Sequence, residues 1–389
     1  MIYSDIFSHF LSVDYGLYFA GELVNYFFCI GILCFVYKKD LIPANHFIIW
    51  AIFFSTPLFV NYVLIDPLYF KDQFNYWYGL AKIKQDGFFS QSYIEIDELS
   101  DLRTFGVVFS NLLWNFIPIP VIISVTSIAF INKLVLFGIY LWIHRKYLNP
   151  NFIYVFLVPS MILYSSLSLR DPLIIAISIS LIILSLEKKL LPVFVLLVCL
   201  AFLKIQNAMI MSLVPIGAFI YNSQRSVLGL IMLLISVLIF GFIFEDLIVD
   251  GLNFFKLAFY LEDMGKSELS PIEALTLNEN SRFIDVLIDS VISIPTFLLI
   301  PLPTQINSLF SAIQFLENLF LLIVLIIILK NNLLQNRIRT LFLLFILLVG
   351  LAIYGYVIAN IGTAVRYRFV FLYPFIAVLL LWYRPPERN

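Results

Sequence analysis

The sequence predicts an all-α, polytopic integral membrane protein, and three observations carry that prediction. Apolar residue types make up 62% of the 389 residues and charged types only 13%, against roughly 25% charged in a soluble domain. The apolar residues gather into runs long enough, or nearly long enough, to cross about 30 Å of hydrocarbon. The charges fall mostly between those runs, where water or headgroups can solvate them.

Taken in order, the runs lie at 17–37, 46–65, 119–143, 151–168, 172–186, 190–203, 210–223, 226–244, 308–329, 340–359 and 368–383. That gives about eleven spans, within a range of ten to twelve, in one transmembrane domain covering 1–389. A run at 104–118 is either a twelfth span or a helix lying at the interface. The middle runs are short, as expected of tilted or broken helices around a cavity. Two connections are too long to be simple links. The first, 66–104, holds the aromatic stretch FKDQFNYWYGL (Phe70–Leu80). The second, 245–307, contains the amphipathic stretch Phe283–Ile294, read as an interfacial or re-entrant helix, and then IPLPTQ.

Lysine and arginine in the short loops set the expected orientation. Lys38 and Lys39, Arg145 and Lys146, Lys188 and Lys189, Arg225, Lys330, Arg337, Arg339, Arg384 and Arg388 share one side. Reading that side as cytoplasmic puts the N-terminus and both long loops outside and the C-terminus inside. No short charged segment with a small-residue cleavage site precedes the first run, so no cleavable signal peptide is expected. The three cysteines lie in apolar runs without zinc or disulfide spacing and read as packing residues. A net charge of −1 suggests no nucleic-acid partner. There is no Walker loop, GxGxxG, CxxC or HExxH, and neither a metal nor a cofactor is expected.

The chemistry-bearing residues fall on the outer side. GTAVRYR (Gly362–Arg368) places Arg366 and Arg368 between two apolar runs. In an extended segment the pair would face one way and could clamp a phosphate or pyrophosphate. On a helix the two would diverge by about 200°. SLSLRDPLIIA (Ser166–Ala176) places Arg170 before Asp171 and Pro172, a helix-start signature whose dipole end favours an anion. The alternative for these arginines is lipid-headgroup binding, and for Asp171 it is simple capping, which already accounts for that residue. Lys204 closes a short run, and its neighbours Gln206 and Asn207 have the amides to bind sugar hydroxyls. Asp72 is the candidate base, with Tyr76 and Trp77 as stacking surfaces for sugar rings or as members of an interfacial aromatic belt. Arg282 is a further outer cation. Lys133 and Glu317 lie inside runs and are expected to pair as a buried bridge.

These features resemble the multispanning bacterial polysaccharide polymerases of the Wzy type, which make O-antigen and capsule chains. The span count, the two long outer loops, the arginine turns SSLSLRDP and NIGTAVRYRF, and DQFNYWY carry the resemblance. It implies a GT-C-like fold in the bacterial inner membrane and a metal-independent glycosyl transfer. The substrate would be an oligosaccharide repeat unit on undecaprenyl pyrophosphate, with a chain-length regulator protein as a candidate partner. Arg170, Arg366 and Arg368 would hold the pyrophosphate as leaving group. One departure stands out: the glycine found eleven residues after an arginine in some members is absent after Arg170 and Arg282. Two other enzymes remain open, a transferase using a polyprenyl-phosphate sugar and an O-antigen ligase. The first usually shows paired acids early in the first outer loop, where Asp72 stands alone; the second is expected to carry a late outer histidine. A flippase or transporter, the non-enzymatic alternative, would show an internal repeat, and none is visible.

Overall fold

Proline and polar caps cut the apolar runs into helices. In the computed structural model the described residues are 15–65, 72–86, 102–221, 226–263, 282–358 and 361–382, and all regular structure among them is helical. Among these described residues six helices are long and apolar enough to cross a membrane, or seven if one bent pair is counted as a span. The described helices divide between two units, Met1–Ile177 with Cys199–Ile205, and Ser178–Val198 with Gln206–Asn389. Each is treated by itself.

The first unit begins with α1 (Tyr15–Lys38) and α2 (Ala44–Phe59). Pro57 interrupts the hydrogen-bond ladder of α2, which continues as a single π turn, Val60–Leu64. The first long loop supplies α3 (Asp72–Asp86), and α4 (Leu102–Asn115) follows. α5 (Val125–Tyr147) starts at a capping box in which Ser124 accepts from the Thr126 N–H. That helix start also receives a buried carboxylate. Glu22 of α1 accepts from Ser124 Oγ at 2.7 Å, from Ser127 Oγ and from Asn25 Nδ2, which places an anion at the positive end of a helix dipole.

The run 151–168, expected as a span, is not one helix. Asn149 and Pro150 start a 3-10 helix, Pro150–Leu157, and Pro159 starts the seven-residue α6 (Pro159–Ser165). α7 (Asp171–Leu186) and α8 (Leu190–Leu203) follow. Lys133 and Glu317, expected to pair, lie in different units, and each has a partner in its own. Lys133 Nζ donates to Ser165 Oγ at 2.6 Å and lies 3.5 Å from the centroid of Phe53, while Glu317 accepts from Tyr373 Oη at 2.8 Å.

In the second unit, the run expected at 210–223 begins earlier and breaks at Ser212 into α9 (Ile205–Met211) and α10 (Leu213–Tyr221). α11 (Ser226–Ile243) turns by 81° into α12 (Glu245–Asp263), so the second long loop opens as a helix. Its amphipathic stretch forms α13 (Phe283–Leu299), longer than expected because Pro295 is accommodated inside it. α14 (Leu309–Gln335), α15 (Arg337–Val357) and α16 (Ile361–Leu381) complete the unit. α16 is its inner helix, with 83% of its apolar window buried against 33% for α14. α14 exposes Leu316, Phe320, Ile323 and Ile326, the outward apolar face expected of a lipid-facing helix.

Candidate functional site

In the first unit the site is a buried turn. Ser166, Leu167, Ser168 and Leu169 are at most 1% exposed, so their backbone groups need protein partners. The side-chain partners come from two helices and a π turn. Asn61, in the π turn, donates to Ser166 O at 2.8 Å. Asn132 of α5 donates to Leu167 O at 3.1 Å and Leu169 O at 3.0 Å, and accepts from Trp114 Nε1 of α4. Gln73 of α3 accepts from the Ser168 N–H at 2.9 Å, and Ser168 Oγ donates to Val125 O. The Arg170 carbonyl accepts from the Ile174 N–H at 3.1 Å and so starts α7. Arg170, rather than Asp171, is therefore the capping residue, and Asp171 is the buried first residue of the helix.

Arg170 emerges from this fixed turn half-buried. Its Nη1 is buried and makes no hydrogen bond, and no carboxylate pairs with the guanidinium among the described residues. A buried donor without an acceptor is rare in a folded chain and marks a position that a ligand can satisfy. The guanidinium lies against Gly106 of α4, and the Leu203 carbonyl at the end of α8 reaches the same glycine. Phe109 and Phe202 pack 5.1 Å apart and hold α4 to α8. Lys204 follows directly and is 8% exposed. The structure thus brings together the start of α3, where Asp72 is half-buried, the Arg170–Asp171 turn, and the end of α8. Tyr76 and Trp77 face inward. Tyr76 is buried at 5.6 Å from Trp114, and Trp77 packs on Phe74 and Val125, so Tyr76 presents no open face for a sugar ring.

In the second unit the GTAVRYR segment is helical, which corrects the paired clamp: Arg366 and Arg368 leave α16 about 200° apart. Arg368, 4% exposed, donates from Nη1 to Phe297 O at 2.9 Å, Leu298 O at 3.0 Å and Ile300 O at 2.7 Å. It caps the end of α13, where a cation meets the negative dipole end. Asn318 donates to Ile300 O at 2.7 Å beside it, and the cavity the two line has room for about one water, at about 10 Å³. Arg366 is half-buried on another side of α16. Asn207 is fully buried and accepts from Tyr354 Oη, and the Tyr354 ring meets Tyr367 at 5.6 Å, so Asn207 and the start of α16 share one neighbourhood. Gln206 is half-buried. Arg282 is exposed at the start of α13, its N–H donating to Asp285 at 2.8 Å.

No family model, curated protein or solved structure matches this chain.

The residues that hold these arrangements and that sequence reasoning did not single out are Asn61, Gln73, Asn132, Gly106 and Tyr354. The amides carried a signal: an isolated Asn inside an apolar run costs free energy unless it finds partners.

Proposed function

We propose that the protein is a glycosyltransferase that polymerises undecaprenyl-pyrophosphate-linked oligosaccharide repeat units into O-antigen or capsular polysaccharide at the outer face of the bacterial inner membrane. The observation that carries this reading is Arg170, a cation whose buried Nη1 has no acceptor among the described residues, on a turn whose backbone is fixed from several helices. Such a group is preorganised for an anion, and a pyrophosphate leaving group develops its charge in the transition state. In the reaction, the bond from the anomeric carbon to the pyrophosphate oxygen breaks and its electron pair leaves with the pyrophosphate. An acceptor hydroxyl forms the new glycosidic bond and gives up its proton. Asp72 is the candidate base for that proton, and Arg170 stabilises the departing charge. Within the second unit, taken by itself, Arg366 is a separate candidate for anion binding and Arg368 acts by holding α13.

In this reading the six long helices, the bent pair and the shorter apolar helices contribute to about eleven spans, the odd number that an outside N-terminus and a cytoplasmic C-terminus require, in a GT-C-like arrangement. A chain-length regulator protein is the proposed partner. The test is deletion of the gene in the source bacterium and electrophoresis of its surface polysaccharide. Loss of the long ladder with retention of a single repeat, restored by the wild-type gene, supports polymerisation. A truncated single repeat points instead to a sugar transferase, and loss of all repeats to a flippase.

A further inference from the structure

We infer that Gly106 is a positioning residue for Arg170, a gauge that sets where the guanidinium sits. This inference rests on the anion-binding reading of Arg170 above. Gly106 lies one turn into α4, a helix whose conformation asks for no glycine, and glycine there costs helix stability relative to alanine. Something other than backbone geometry therefore accounts for it. A Cβ at this position would overlap Nη1 of Arg170, would lie 3.0 Å from Cζ, and would lie 3.0 Å from the Leu203 carbonyl oxygen. The clash is with the guanidinium on one side and a backbone carbonyl on the other.

The helix cannot easily yield. Trp114, further along α4, is 0% exposed and donates through Nε1 to Asn132 Oδ1 at 3.2 Å, the same Asn132 that holds Leu167 O and Leu169 O. Phe109 is held to Phe202. The far wall is backbone, the last carbonyl of α8. The guanidinium is thus the only movable part of the contact, and a methyl group at position 106 would push it out of its seat while the turn that carries it stays fixed. Gly106 accordingly determines the position of Arg170 and touches no substrate itself.

The experiment is a double-mutant cycle on the purified full-length protein in detergent, comparing wild type, G106A, R170A and G106A/R170A. Two readouts are taken: the melting temperature, and the rise in melting temperature with added inorganic pyrophosphate. G106A is expected to weaken pyrophosphate binding by tenfold or more. In the R170A background, where the guanidinium is gone and only the 3.0 Å approach to the Leu203 carbonyl remains, adding G106A is expected to lower the melting temperature much less than it does in wild type. That second arm holds even where G106A alone does not fold, because removing Arg170 should restore folding. G106A with wild-type pyrophosphate affinity would overturn the inference, as would an equal loss of stability from G106A with and without Arg170. A wild-type protein that ignores pyrophosphate would overturn the anion reading of Arg170, and the melting cycle alone would then decide the role of Gly106.

Discussion

Arg170, Arg366 and Arg368 look alike in the sequence and have different surroundings in the structure. Arg368 spends one guanidinium nitrogen on three carbonyls, whereas Arg170 makes no hydrogen bond through its buried Nη1. Hydrogen bonds to a charged group are worth about 1.5–3 kcal/mol each, and buried carbonyls left without a donor add to the loss. Arg368→Met is therefore expected to destabilise the protein by about 3 kcal/mol or more, read as a fall in melting temperature in detergent. Arg170→Ala should leave the melting temperature within a few degrees of wild type. The sequence showed where charge meets apolar runs, and so showed all three arginines. It could not show that Gly362–Arg368 is helical, because glycine near a helix start is compatible with either conformation.

Two helix ends share a device that the sequence hid. α6 ends against the ammonium of Lys133, which donates to Ser165 Oγ and Ile162 O, and α13 ends against the guanidinium of Arg368. In each case a buried cation satisfies a C-terminal end just before an irregular segment. For Lys133 no carboxylate completes the pair among the described residues. A buried charge costs much to desolvate, and an apolar residue of equal volume is often as stable. Lys133→Met is thus expected to melt close to wild type, with its thioether against Phe53, while Lys133→Ala should lose about 2–4 kcal/mol to the cavity it leaves. Asn132→Leu, which leaves the carbonyls of Leu167 and Leu169 without donors, should both lower the melting temperature and shorten the polysaccharide. Long helices were legible nearly to their ends, as in 17–37 against Tyr15–Lys38. The break at 151–168 was not, because its apolarity masked Pro150 and Pro159.

The long helices expose apolar faces suited to lipid, and the polar groups around the Arg170 turn are buried within the first unit. The proposed orientation makes its own prediction. In a variant lacking Cys29, Cys34 and Cys199, a cysteine at the exposed position 282 should react with a membrane-impermeant maleimide in intact spheroplasts. A cysteine at position 188 should react only after permeabilisation. Reversed labelling would invert the topology and move the Arg170 turn to the cytoplasmic face.

The most direct test of the account is the surface-polysaccharide ladder of the deletion strain complemented with Arg170→Ala, at membrane levels matched to wild type by immunoblot. The account predicts a single repeat unit and no extension. A full-length ladder from that variant would contradict it.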